Sequence, residues 1–130
     1  MLGAITGDII GSIYEFNNIK TKNFNLFTDK NYFTDDTVMS FAVAEALMNG
    51  SKSEDFIRFM KRYGVLYPRA GYGGTFFSWL FSDTTEPYNS WGNGSAMRVS
   101  PCGWVAKLSE PFEEGLKLTE DLAKKSAEVT

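Results

Sequence analysis

Histidine is missing from the chain altogether, and cysteine occurs once, at Cys102. A solitary thiol cannot build a disulfide framework. Without imidazole there is neither a Cys/His zinc site nor a Ser-His or Cys-His nucleophilic pair. Chemistry in this chain therefore has to run on carboxylates, hydroxyls, amides or a hard cation. Runs of lysine or arginine are absent too, and the formal net charge is -3. The electrostatic footprint that draws proteins to nucleic acid is not there, so a nucleic-acid partner is not expected. The opening stretch MLGAITGDIIGSIYEF has no basic start and carries Asp8 inside its apolar run. It reads as neither signal peptide nor membrane span, and a cytoplasmic location is the expectation.

What is present is the composition of a folded protein. Of 130 residues, 43% are hydrophobic, with 11 Phe, 6 Tyr and 3 Trp. That length suits one domain over residues 1–130, able to bury about two-thirds of the surface of its unfolded chain. No alternating period-2 strand and no internal repeat stand out, and the periodicity predicts an all-α fold, a compact multi-helix bundle.

Along the chain, Leu2, Ile5, Ile9, Ile10 and Ile13 recur at helical spacing, while Gly3, Gly7 and Gly11 fall every fourth residue. Such a glycine stripe lets a second helix approach closely. Asp8 and Glu15, two turns apart, share one face. Residues Asn17 to Lys30 are polar and aromatic without period and read as a loop lying over a site. Thr34-Asp35-Asp36-Thr37 opens a helix that stops at Asn49-Gly50. A second amphipathic helix starts at Ser53, capped there, and closes near Gly64. After the turn around Pro68 and Gly71, an aromatic helix runs from Thr75 to Phe81, and Asp83 to Tyr88 is again a turn. Gly92-Asn93-Gly94 precedes an apolar run reaching Leu108, a loop opening into a helix, and Lys117 to Val129 reads as the last helix.

Two constellations could carry chemistry. Thr34, Asp35 and Asp36 at a helix start are either ordinary caps, favoured by free N–H groups and the helix dipole, or an oxygen-only surface for Mg²⁺, Mn²⁺ or Ca²⁺. Asp8 and Glu15 are either solvent-facing charges or further members of that site, with Glu15 a candidate acid/base; an Asp buried alone in an apolar stretch costs several kcal/mol unless it finds a partner. Gly92, Asn93, Gly94 and Ser95 form either a turn with its cap or an anion-binding loop. Arg98 then supplies charge to a diphosphate or makes an internal ion pair.

Taken together, these segments resemble the ADP-ribosylglycohydrolase family. The resemblance rests on Gly3-Ala4 through Gly7-Asp8, Gly11 and Glu15, on Thr34 to Met39, on Gly71-Tyr72-Gly73-Gly74-Thr75, and on Gly92-Asn93-Gly94-Ser95-Ala96-Met97-Arg98, in the family's order. It implies an all-α hydrolase whose two-magnesium cleft receives an ADP-ribosyl group. Thr34, Asp35 and Asp36 resemble metal ligands, with Asp35 and Glu15 at the catalytic centre. Gly92, Asn93, Gly94, Ser95 and Arg98 resemble the substrate-binding loop. The implied partner is an ADP-ribose-containing ligand or an ADP-ribosylated molecule.

The chain departs from the family pattern in lacking the later histidine-bearing stretch and the Asp-x-Asp motif that complete the metal site. The domain therefore reads as truncated. Mg²⁺, or Mn²⁺ in its place, is expected to be weakly held, and a homo-oligomer or a complementary carboxy-terminal chain is expected to cover exposed surfaces. These surfaces are the glycine stripe and the aromatic run Phe76, Phe77, Trp79, Leu80 and Phe81. A module that binds ADP-ribose without cleaving it, and a plain helical interaction domain, are the alternatives.

Overall fold

The computed structural model describes residues 1–106 and 111–130. Every regular element among them is helical. In chain order these are α1 (Leu2–Gly11), a 3₁₀ turn (Ser12–Tyr14), α2 (Asp35–Met48), α3 (Ser53–Leu66), α4 (Gly74–Leu80), α5 (Gly94–Met97), α6 (Ser100–Ala106) and α7 (Phe112–Glu128). Among the described residues no helix is long and apolar enough to cross a membrane.

The centre of the fold is α2. Its residues Thr37, Val38, Met39, Ser40, Ala42, Val43 and Ala46 are all buried, so most of its circumference is enclosed, and only the stripe through Phe41, Glu45 and Met48 faces outward. It lies against α1, α3, α5 and α6. By contrast α3 and α7 are amphipathic. One stripe of α3, Phe56, Phe59 and Met60, joins Val38, Met39, Ala42, Val43 and Ala46 in a core completed by Trp79 and Leu80 of α4, Cys102 of α6 and Leu122 of α7.

Several boundaries differ from the sequence expectation for identifiable reasons. Ser53 does not cap α3. The turn begins one residue earlier, where the Lys52 N–H donates to Asp55 Oδ2 at 3.1 Å, a side-chain acceptor three residues on that satisfies a free helix-start amide. Gly64 does not end α3 either, because the helix continues to Leu66. The apolar run after Asn93 is two helices. α6 carries Pro101 in its first turn, where a missing N–H leaves no partner unsatisfied, and α5 ends after a single turn. The end of that run, at Lys107 and Leu108, lies outside the described residues. α7 starts at Phe112, five residues before the expected Lys117.

The glycine stripe of α1 is not a helix-packing face. A Cβ placed at Gly3, Gly7 or Gly11 would meet nothing within 4 Å among the described residues. The missing side chains leave open space. The close contact a glycine was expected to permit occurs at Gly64 instead, where an added Cβ would stand 2.8 Å from Leu80 Cδ1 and 2.9 Å from Cδ2. The aromatic run of α4 is only half exposed. Trp79 and Leu80 are buried, while Phe77 and Phe81 stand out as a pair with ring centroids 4.6 Å apart.

Alanine ordinarily stabilises a helix interior by about 1 kcal/mol relative to glycine. At Gly64 the sign reverses, since Leu80 is buried and cannot swing clear. Gly64→Ala is expected to lower stability by about 1–2 kcal/mol, measured as a lower urea midpoint with an unchanged slope.

Candidate active site

The site begins with Asp8. Its carboxylate faces the start of α2 and accepts from the backbone N–H of Thr34 at 2.8 Å and of Thr37 at 3.2 Å. Its oxygens also accept from the Thr34 hydroxyl at 2.6 Å and from the Thr37 hydroxyl. Thr34 is itself the N-cap of α2, its Oγ1 accepting from the Asp36 N–H at 3.3 Å. Asp8 is thus neither a solvent-facing charge nor a lone buried one. It holds a helix start by charge-assisted hydrogen bonds. With Asp8 occupying the inner side of this turn, the carboxyls of Asp35 and Asp36 belong to its outer side.

Each of those two carboxyls lines a different cleft. The first, about 420 Å³, is walled by Asp35, the Gly73-Gly74-Thr75-Phe76 segment, Tyr88 to Gly94, Met97 and Arg98. The second, about 430 Å³, is walled by Ala4, Gly7, Asp8, Gly11, Ser12 and Glu15 together with Asp36, Ser40, Asn93 and Met97. Asn93 and Met97 belong to both walls. The glycines of α1 acquire a purpose here, since without side chains Gly7 and Gly11 keep the second cleft open.

Asp8, Glu15, Asp35 and Asp36 act on one another electrostatically. Burial, and after it the neighbouring Asp36, raises the Asp35 pKa to about 6, with Glu15 and Asp8 adding to the effect. Asp36 is likewise raised, first by burial and then by Asp8 and Glu15. Among the described residues the ion pairs lie elsewhere, at Arg58–Asp55, Arg62–Glu45 and Lys124–Glu128. Among the described residues none of the carboxylates at the clefts is in an ion pair. Their excess negative charge and oxygen-only chemistry suit a hard divalent ion. No three of them stand close enough together, among the described residues, to form a ready-made cage.

The first cleft has the opposite polarity at its far end. Arg98 is 1% exposed. Its Nη2 donates to the Ser126 carbonyl at 2.8 Å and to Thr130 Oγ1 at 2.9 Å, and its Nε has no partner among the described residues. These partners are neutral, and burial lowers the Arg98 pKa to about 10. The guanidinium remains charged at neutral pH, 5.8 Å from the centre of the Phe76 ring, and among the described residues no carboxylate forms an ion pair with it. Trp91 is fully exposed on the rim of the same cleft. Ser95, half-buried, forms part of neither wall.

A family model described as ADP-ribosylglycohydrolase matches residues 1–130, the whole chain. The chain belongs to the ADP-ribosylglycohydrolase family. A comparison with individually curated proteins finds no match. In ADP-ribosylglycohydrolase terms, the structure gathers Asp8, Glu15, Asp36 and Asn93 on one cleft, and Asp35, Gly92, Asn93, Gly94 and Arg98 on its neighbour. Thr34 sits behind them with its hydroxyl already engaged. None of the loop residues 17–30, expected over the site, lines either cleft; the anchor lies just beyond them, where Asn31 Nδ2 donates to the Ile9 carbonyl at 2.8 Å and the Tyr32 N–H to Ser12 Oγ at 3.1 Å. Tyr88, expected as the end of a turn from Asp83, and Asn89 just beyond it both line the first cleft. A positive φ of 54° at Asn89, a residue type that tolerates it, marks the bend that shapes the first wall.

Two substitutions separate scaffold from site. Asp8→Asn keeps the shape but turns one acceptor into a donor facing N–H groups, and is expected to cost about 2–4 kcal/mol in chemical denaturation. Asp35 has the opposite sign. Its carboxyl is 3.8 in the unfolded reference and about 6 when folded, so the folded state binds more protons between those values and stability falls as pH rises through that window. Asp35→Asn should therefore stabilise the ligand-free protein above about pH 6, by roughly 1 kcal/mol after allowing for solvent screening. Below pH 3.8 melting curves of the two proteins should coincide.

Proposed function

We propose that the paired clefts receive an ADP-ribosyl group and that the chain takes part in hydrolysing its glycosidic bond, with Mg²⁺ or Mn²⁺ held beside Asp35 and Asp36. One observation carries this reading. The wall containing Asn93 and Met97 is shared, so a single extended ligand can reach the carboxylate cleft and the Arg98 cleft together.

The roles follow from the charge distribution. In the first cleft Arg98 supplies the attraction for a diphosphate, and the backbone of Gly92, Asn93 and Gly94 allows close approach. The one-turn helix α5 adds little dipole of its own. Trp91 on the rim, with Phe76 and Tyr88 in the wall, offers flat apolar surface to an aromatic base. In the second cleft Glu15 and Asp36 stand on a common wall, with Glu15 placed to take or give a proton at the ribose end. Thr34, Asp35 and Asp36 would contribute oxygens to the cation, Thr34 through the lone pair not accepting from Asp36. A bound divalent ion orients ribose hydroxyls and makes water a better nucleophile at neutral pH. These ligands alone fall short of an octahedral set, so weak binding is expected, and a second copy or a complementary chain would strengthen it.

Capture of ADP-ribose without hydrolysis is the second reading. It draws on the want of a three-carboxylate cage among the described residues. Thermal melts distinguish the two. The hydrolase reading expects a rise in Tm that needs ADP-ribose and Mg²⁺ together, whereas pure capture expects a rise with ADP-ribose that survives EDTA. No shift with either would refute both.

A further inference from the structure

Tyr72 has no part in the roles assigned above, and its surroundings give it one. Its hydroxyl is buried and, among the described residues, has no hydrogen-bond partner, an arrangement that costs free energy unless something compensates. The ring cannot relieve this by turning outward, because it packs edge-on against Phe76 with centroids 5.8 Å apart, and Phe76 stacks on Trp79 at 5.7 Å. The backbone enters Tyr72 through Gly71 at φ +102°, where a Cβ would stand 3.8 Å from Asp35 Oδ1. The loop therefore runs directly against the Asp35 carboxylate.

Burial first, and the charge of Asp35 second, push the phenol well above its ordinary range. It stays protonated and remains a donor. The Asp35 backbone N–H favours the charged form of its own carboxyl. The loop that carries this unused donor thus passes beside the Asp35 carboxylate, an acceptor with capacity to spare.

We propose that Tyr72 is a positioning residue for Asp35. When ligand fills the clefts, the Asp35 carboxylate turns so that one oxygen accepts from the Tyr72 hydroxyl and the other is presented to the ligand. The orphaned phenol of the free protein is the reserve that this rotation satisfies. Holding a carboxylate by one oxygen fixes the plane of the other, which a loosely oriented side chain on a helix's first turn cannot do by itself. The inference rests on the reading of the clefts as an ADP-ribose and cation site.

Tyr72→Phe removes the hydroxyl and nothing else. In the ligand-free protein it should leave Tm unchanged or raise it, since it removes a buried donor that has no hydrogen bond to lose. Calorimetric titration with ADP-ribose in the presence of Mg²⁺ should show roughly tenfold weaker binding than wild type. The ¹³Cζ resonance of Tyr72, assigned by its loss in the variant, should move when the wild-type protein is saturated. Equal affinities together with a stationary Tyr72 resonance would overturn the positioning role while leaving the cleft reading intact. A variant destabilised before any ligand is added would overturn it as well, by showing that the hydroxyl is already in use. Failure of the wild-type protein to bind either Mg²⁺ or ADP-ribose would instead remove the cleft reading, and the role of Tyr72 with it.

Discussion

The arrangement depends on one carboxylate inside the fold, Asp8, which gathers two backbone N–H groups and two hydroxyls from the first turn of α2. This contact joins two segments more than twenty-five residues apart in sequence. It fixes α1 against α2 and fixes the rotation of α2 about its own axis. Because the inner side of that turn is taken, the adjacent carboxylates Asp35 and Asp36 are committed to the two clefts, one to each. A cap made by a neighbour in sequence would stabilise the helix equally well. It would not decide which way its first residues face.

Crowding carboxylates in this way works against the free protein. Asp35 is pushed to about 6 because burial and its acidic neighbours disfavour its charge, while the amino terminus of α2 favours negative charge nearby and offsets part of that penalty. The balance leaves two adjacent carboxyls whose charged forms are disfavoured in the free protein. Natural proteins place strain of this kind at working sites and compensate for it elsewhere. Here the compensation is the enclosed α2, whose buried Val38, Met39, Ala42, Val43 and Ala46 anchor the helix on several sides.

Much of this could be read from sequence, and the exceptions share a cause. The start of α2, the aromatic helix and the turn-rich segments announce themselves through local signals, namely capping residues, apolar periodicity, glycine and proline. The pairing of motifs into a family pattern likewise needs only order along the chain. What local pattern cannot supply is the partner. Gly3, Gly7 and Gly11 look like a packing stripe whether a helix or an empty cleft lies opposite, and Gly64 looks like a helix end until Leu80 is found against it. Arg98 left a choice between an ion pair and a ligand, and its neutral partners lie 28 and 32 residues away, at Ser126 and Thr130.

Those distant partners show how the first cleft is supported. The Arg98 guanidinium is tied to the last turn of α7 and its capping residues. The chain leading into the cleft loop is tied there too, since the Ser90 N–H donates to the Thr130 carbonyl at 3.0 Å. The loop from Tyr88 to Arg98 holds few regular hydrogen bonds of its own and would be mobile if it depended on α5 alone, a single turn of helix. Bracing from α7 makes it a fixed wall. The same bonds occupy one edge of Arg98 with neutral acceptors, and among the described residues no carboxylate forms an ion pair with it beside the cleft. Asp8 works in the same way at the other cleft. In both places, among the described residues, a charged side chain is satisfied by neutral donors or acceptors rather than by an opposite charge.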